Sequence, residues 1–132
     1  DSPFIPRDEK WNRHNFQTLK SKPVKLDAAQ RTSTEKAIRE TCEKRNWILR
    51  AVNVRTNHIH IVVSIDSIKP EKALNAFKAN ATRQMRQDDC WNQPHSPWVD
   101  KGSKRFLWNE RSIELAIDYV INGQGDDLPK FD

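Results

Sequence analysis

Hydrophobic positions recur with two different periods along this chain, and the changes of period divide it into elements. From Asp27 the sequence "DAAQ" sets an aspartate three residues before Gln30, a capping-box arrangement that satisfies backbone donors left orphaned at a helix start. Ala37, Ile38 and Cys42 then share one face, with Glu35, Lys36, Arg39 and Glu43 off it, which predicts a helix ending near Arg45. The run "WILRAVNV", 47–54, is rich in β-formers and predicts a strand. "RTN" supplies a turn with Asn57 as its left-handed residue, and "HIHIVVSI", 58–65, completes a hairpin. Pro70 suits the first turn of a second helix, in which Leu74, Phe77, Ala81 and Met85 form the buried stripe. The stretch 88–103 is irregular, "KRFLW" (104–108) predicts a short strand, and Ser112 caps a last helix running to Asn122. The core face of that helix is Ile113, Ala116, Ile117 and Val120, and Gly123 and Gly125 stop it.

The first 26 residues hold three prolines, many charges and no sustained period. They predict an extended arm over 1–26, with a short helical piece around 10–19, ahead of a single domain over 27–132. The order helix, strand, strand, helix, strand, helix points to an α+β, ferredoxin-like sandwich: an antiparallel sheet with helices on one face and a C-terminal helix carrying the tyrosine. That fold begins with a strand, and none is evident before Asp27, so the expectation is a chain without its first strand. Starting at Asp1 rather than methionine, the chain also reads as a piece of a longer sequence.

Composition narrows the class. Five tryptophans against three glycines argue against a low-complexity chain. The apolar runs are too short to span a bilayer, so a cytoplasmic protein with no membrane partner is expected. A net charge of +5 favours a polyanionic partner. Two isolated cysteines are no disulfide framework: Cys42 fits a buried helical position and Cys90 a loop thiol.

Candidate chemistry falls in three places. In a strand, His58 and His60 share one face, while Ile59, Ile61 and Val63 share the other and bury against the helices. Two parallel imidazoles can bind one divalent cation, yet the short motif alone favours an exposed polar face. Tyr119, the only tyrosine, is either a nucleophile or an amphipathic residue at the core edge. "NGQGDD", 122–127, offers amide oxygens to a metal or is a solvated turn. Lys72, Lys78, Arg83, Lys101, Lys104 and Arg105 fit phosphate contacts, and Trp91 and Trp98 either stack on unpaired bases or pin a long loop to the core.

Taken together, "NHIHIVVS" followed by "AIDYVINGQGD" resembles the single-tyrosine HUH transposases, the IS200-like group that includes the REP-associated tyrosine transposases. The resemblance runs from about Leu26 to Asp127. It implies a metal-dependent endonuclease and strand transferase (DNA recombination and transposition) acting on single-stranded or hairpin DNA. His58 and His60 would hold Mg²⁺ or Mn²⁺, and Tyr119 would form a 5′-phosphotyrosine intermediate. The family places a third ligand four residues after the tyrosine. Here that residue is Gly123, and Gln124 is the choice for the ligand. Dimers are common among transposing members and monomers occur in the REP-associated branch, so a homodimer is one expectation. The alternative function is a hairpin-DNA-binding domain, derived from a transposase, that does not cut. A two-histidine phosphodiesterase is a weaker reading, because position 60 lacks the hydroxyl residue of H-x-[ST].

Overall fold

The computed structural model describes residues 16–107 and 109–123. Its elements are β1 (Phe16–Ser21), α1 (Ala28–Arg45), β2 (Ile48–Val54), β3 (Ile59–Ser64), α2 (Pro70–Gln87), β4 (Ser103–Phe106) and α3 (Glu110–Asn122). Among the described residues the strands form one antiparallel sheet in the order β2-β3-β1-β4. This is the ferredoxin-like arrangement expected, with both crossovers made by helices.

The first strand is present, which corrects the expectation that the chain lacks it. β1 lies inside the stretch read as an arm, where a helical piece was expected around 10–19; residues 10–15 of that stretch lie outside the described residues. The physical reason is burial on both faces. β1 sits between β3 and β4, and Gln17, Thr18 and Ser21 are as buried as Phe16 and Leu19. Its buried polar residues erase the apolar/polar alternation by which a half-exposed strand is recognised.

α1 starts as its sequence dictates. Gln30 N–H donates to Asp27 Oδ1 and Asp27 N–H donates to Gln30 Oε1, both at 2.8 Å. Asn46 ends it in the left-handed conformation, at φ 58°. The stripe of α2 buries as expected, and with α1 it covers one face of the sheet. Leu19, Val52, Ile59, Ile61 and Val63 there meet Ile38, Cys42, Leu74 and Phe77. Burial pushes the Cys42 thiol up to about 11, so it stays a protonated packing residue.

Two local expectations are corrected. Among the described residues the left-handed non-glycine positions are Asn46, Asp66 and Asp89, not Asn57. The hairpin instead turns on Thr56 and Asn57 between Arg55 N–H and His58 C=O, 2.8 Å apart, and Leu26 N–H grips the Thr56 carbonyl from outside at 2.7 Å. Ser112 is not the cap of α3. Asn109 is, its side chain accepting from Ser112 N–H at 2.8 Å. An Asn three residues ahead reaches the donor that Ser112 itself presents.

The irregular stretch after α2 is tied to the core. Trp98 Nε1 donates to Lys78 O and Thr82 Oγ1, each at 3.0 Å, and Trp91 Nε1 donates to His95 O at 2.9 Å. Both tryptophans therefore pin the loop. Gly102, at φ +84°, brings the chain into β4 so close to Leu74 and the Lys20 carbonyl that a Cβ there would clash with both.

Asp88 closes α2 onto α1. Its carboxylate accepts from Ser33 Oγ at 2.6 Å and from Gln84 Nε2 at 3.0 Å. The Ser33 hydroxyl, and then the Gln84 amide, hold the Asp88 carboxyl below its usual value of 3.8. A depressed native pKa adds stability above the unfolded value, and that stability is lost as pH falls through the native one. Urea midpoints measured from pH 6 down to pH 2 should therefore drop less steeply below roughly pH 4 in Ser33→Ala than in the parent. Parallel curves would show that the contact has no such role.

Candidate active site

The alternation of β3 sends Ile59, Ile61 and Val63 toward α1 and α2, and it sends His58, His60 and Val62 to the other face. That face is not open. α3 lies across it, and Ile113, Ala116 and Val120 pack on Phe16, Ala51 and Val62. His58 and His60 are 4% and 2% exposed, which rules out the exposed polar face as an account of the pair.

α3 brings Tyr119 to the histidines. The Tyr119 and His60 rings are stacked, with centroids 6.0 Å apart and planes 27° from parallel. The His58 and His60 rings lie 5.9 Å apart. His58 Nδ1 faces Asn57 Oδ1 at 3.0 Å, the contact by which a neighbouring amide fixes an imidazole's tautomer and leaves its other nitrogen as a ligand. Two imidazoles on adjacent same-face positions, one so oriented, are a donor set that suits a divalent transition ion. Among the described residues no three His, Cys, Asp or Glu side chains cluster. Gln124 lies outside the described residues, as do Trp108 and the remainder of "NGQGDD" from that residue on.

Register adds residues that strand alternation alone does not find. Lys20 of β1 and Asn53 of β2 pair directly with His60 from either side, so all three share the site face. Asn53 Nδ2 donates to the Val120 carbonyl of α3 at 2.7 Å. The signal for Asn53 was in the sequence: a two-residue turn at Thr56 and Asn57 sets residue 53 opposite residue 60. Arg50, at the irregularity in the β2–β3 register, lies over the Phe16 ring at 5.5 Å.

The basic candidates separate by face. Arg105 pairs with Thr18, in the row of Val62, and so belongs to the site face. Lys104 pairs with Leu19, on the opposite face, and its Nζ meets Glu71 of α2 at 3.0 Å. Lys72, Lys78 and Arg83 ride on α2, across the sheet from Tyr119. Lys78 Nζ donates to Asp100 O at 2.8 Å, and burial lowers its pKa. Arg83 donates to Asn80 Oδ1 at 2.6 Å and lines a groove of about 330 Å³ between α1 and α2, alongside Lys44, Arg45 and Glu40. One stretch of nucleic acid lying on the histidine–tyrosine face would meet Arg105 but not the α2 lysines.

The family model of IS200-like transposases matches residues 10–113, a span that holds both histidines and ends before Tyr119. Among solved structures, the chain is similar to a REP-associated tyrosine transposase bound to a REP hairpin, at a TM-score of 0.65 and 13% identity. The match covers 82% of this chain and 65% of that one, so this chain spans less than two thirds of that relative. It is also similar to a Deinococcus radiodurans R1 protein assigned as a transposase, at a TM-score of 0.57 and 13% identity, covering 82% of this chain and 89% of that one. At such identities the likeness is one of fold. No protein of curated function matches the chain.

Proposed function

The chain belongs to the IS200-like transposase family, and on that premise we propose that it cuts and rejoins single-stranded DNA through a phosphotyrosine at Tyr119, reading a hairpin in its target. The observation that carries the reading is the stacking of the sole tyrosine on the second of two same-face histidines, contributed from a helix more than fifty residues away in sequence. Packing of α3 on the sheet requires Ile113, Ala116 and Val120, but it does not require a phenol beside two imidazoles.

His58 and His60 would hold a divalent ion, with Gln124 as the proposed third ligand. Bound there, the ion supplies Lewis-acid polarisation of a phosphate oxygen. Tyr119 contributes the nucleophile: its phenolic oxygen bonds to phosphorus as the bond from phosphorus to the 3′-oxygen breaks. The tyrosine proton is lost to base or solvent, and the departing oxygen takes up a proton to become a 3′-OH. The product is a 5′-phosphotyrosyl link, which conserves the phosphodiester and so permits rejoining without ATP. Arg105 and Lys20, on the same face, would neutralise phosphates of the bound strand.

The experiment is incubation with 3′-labelled hairpin oligonucleotides in Mn²⁺ or Mg²⁺, followed by denaturing electrophoresis. A covalent protein–DNA band that EDTA prevents is expected. Repeated release of cut product with no adduct would instead indicate a hydrolytic phosphodiesterase.

A further inference from the structure

A helix leaves the carbonyls of its last turn short of intrahelical donors, and α3 closes with one ordinary i→i+4 bond and one bond from the sheet. Gly123 N–H donates to Tyr119 O at 2.7 Å, and Asn53 Nδ2 donates to Val120 O at 2.7 Å. The second bond comes from the residue paired with His60 in the sheet. One side chain thus links the row that carries His60 to the carbonyl of the residue after the tyrosine.

Gly123 acts on the ring itself. Its φ of −70° is open to any residue, so glycine is not required by the backbone. It is required by proximity: a Cβ there would lie 2.8 Å from Tyr119 Cδ1 and 2.9 Å from Cε1, and would overlap the Tyr119 carbonyl oxygen. Real Cβ atoms essentially never approach so closely, and the overlapping oxygen is backbone, so ring and last helical turn would both have to move.

We propose that Asn53 and Gly123 are positioning residues that together set the distance and tilt of Tyr119 against His60. Asn53 fixes the end of α3 over the histidine row, and Gly123 leaves the space in which the phenol ring lies. The proposal rests on the reading of Tyr119 as the nucleophile. Reactions of held groups are steep in geometry, and a displacement near 1 Å can cost about 10²-fold in rate.

The test uses Asn53→Ala and Gly123→Ala, each made also with 3-fluorotyrosine at position 119. Because Tyr119 is the only tyrosine, the labelled protein gives a single ¹⁹F reporter of the ring's surroundings. Three quantities are read: the single-turnover rate of adduct formation at saturating hairpin DNA, hairpin affinity, and the ¹⁹F resonance. The rate should fall by roughly 10- to 100-fold in both variants, affinity should stay within about twofold, and the resonance should move. Asn53→Gln, which restores a donor on a longer stem, should recover part of the rate. Unaltered rates and resonances in both alanine variants would overturn the proposal, as would a rate loss explained wholly by weaker DNA binding. If the parent forms no adduct, the nucleophile reading fails. The ¹⁹F resonances then still decide whether these residues set the ring, and unmoved resonances overturn that too.

Discussion

Tyr119→Phe should lower covalent adduct formation by roughly 10³-fold or more while leaving folding and hairpin binding intact, since removal of a nucleophile forfeits the chemistry and little else. Phenylalanine keeps the ring that packs at the edge of the Phe16, Val62 and Val120 cluster and stacks on His60. The lost hydroxyl belongs to a half-buried side chain, so a change in stability much above about 1 kcal/mol is not expected. The chain has no second tyrosine to substitute for it. Single-turnover adduct assays and thermal melts on the same preparations separate the two effects. An adduct formed at the parent rate would remove Tyr119 from the chemistry.

His60→Ala should be the next largest loss. The imidazole is 2% exposed at the centre of the sheet, flanked by Lys20 and Asn53 and stacked on Tyr119. Its removal takes away a proposed ligand and the surface against which the phenol rests. Loss of one preorganised group that stabilises transition-state charge costs about 10²- to 10³-fold. The cavity left behind should also lower stability by roughly 2–3 kcal/mol, so urea melts must accompany the kinetics. A metal titration followed by adduct formation should show a higher requirement for Mn²⁺ in this variant. His58→Ala should follow the same direction. A hairpin-binding domain that does not cut would behave differently, with salt-sensitive binding indifferent to both histidines, to Tyr119 and to chelators.

Much of this arrangement was legible in the chain, for reasons that differ by element. α1 carries its own capping box, α2 has a stripe at helical spacing beginning at a proline, and the β2–β3 hairpin alternates. Each is local information, and each survived folding. β1 was illegible because a strand covered on both faces, with Gln17, Thr18 and Ser21 among its buried residues, loses the period that announces a strand. The direction in which His58 and His60 point followed from alternation. Their burial did not, because burial depends on contacts between segments far apart in sequence, as in the stacking of Tyr119 on His60. The spread of basic residues over two faces was likewise invisible. Lys104 and Arg105 are neighbours in sequence and opposite in the sheet, one paired with Glu71 and the other sharing the site face. Asn53 could have been found by counting back from the turn, and Gly123 could not, since its role depends on where the Tyr119 ring lies.

The most direct measurement is to digest the covalent protein–DNA adduct with protease and nuclease and to locate the residual nucleotide by mass spectrometry. The account predicts one modified peptide spanning α3, with the nucleotide 5′-phosphate on the Tyr119 oxygen. A nucleotide attached through any other side chain would contradict it.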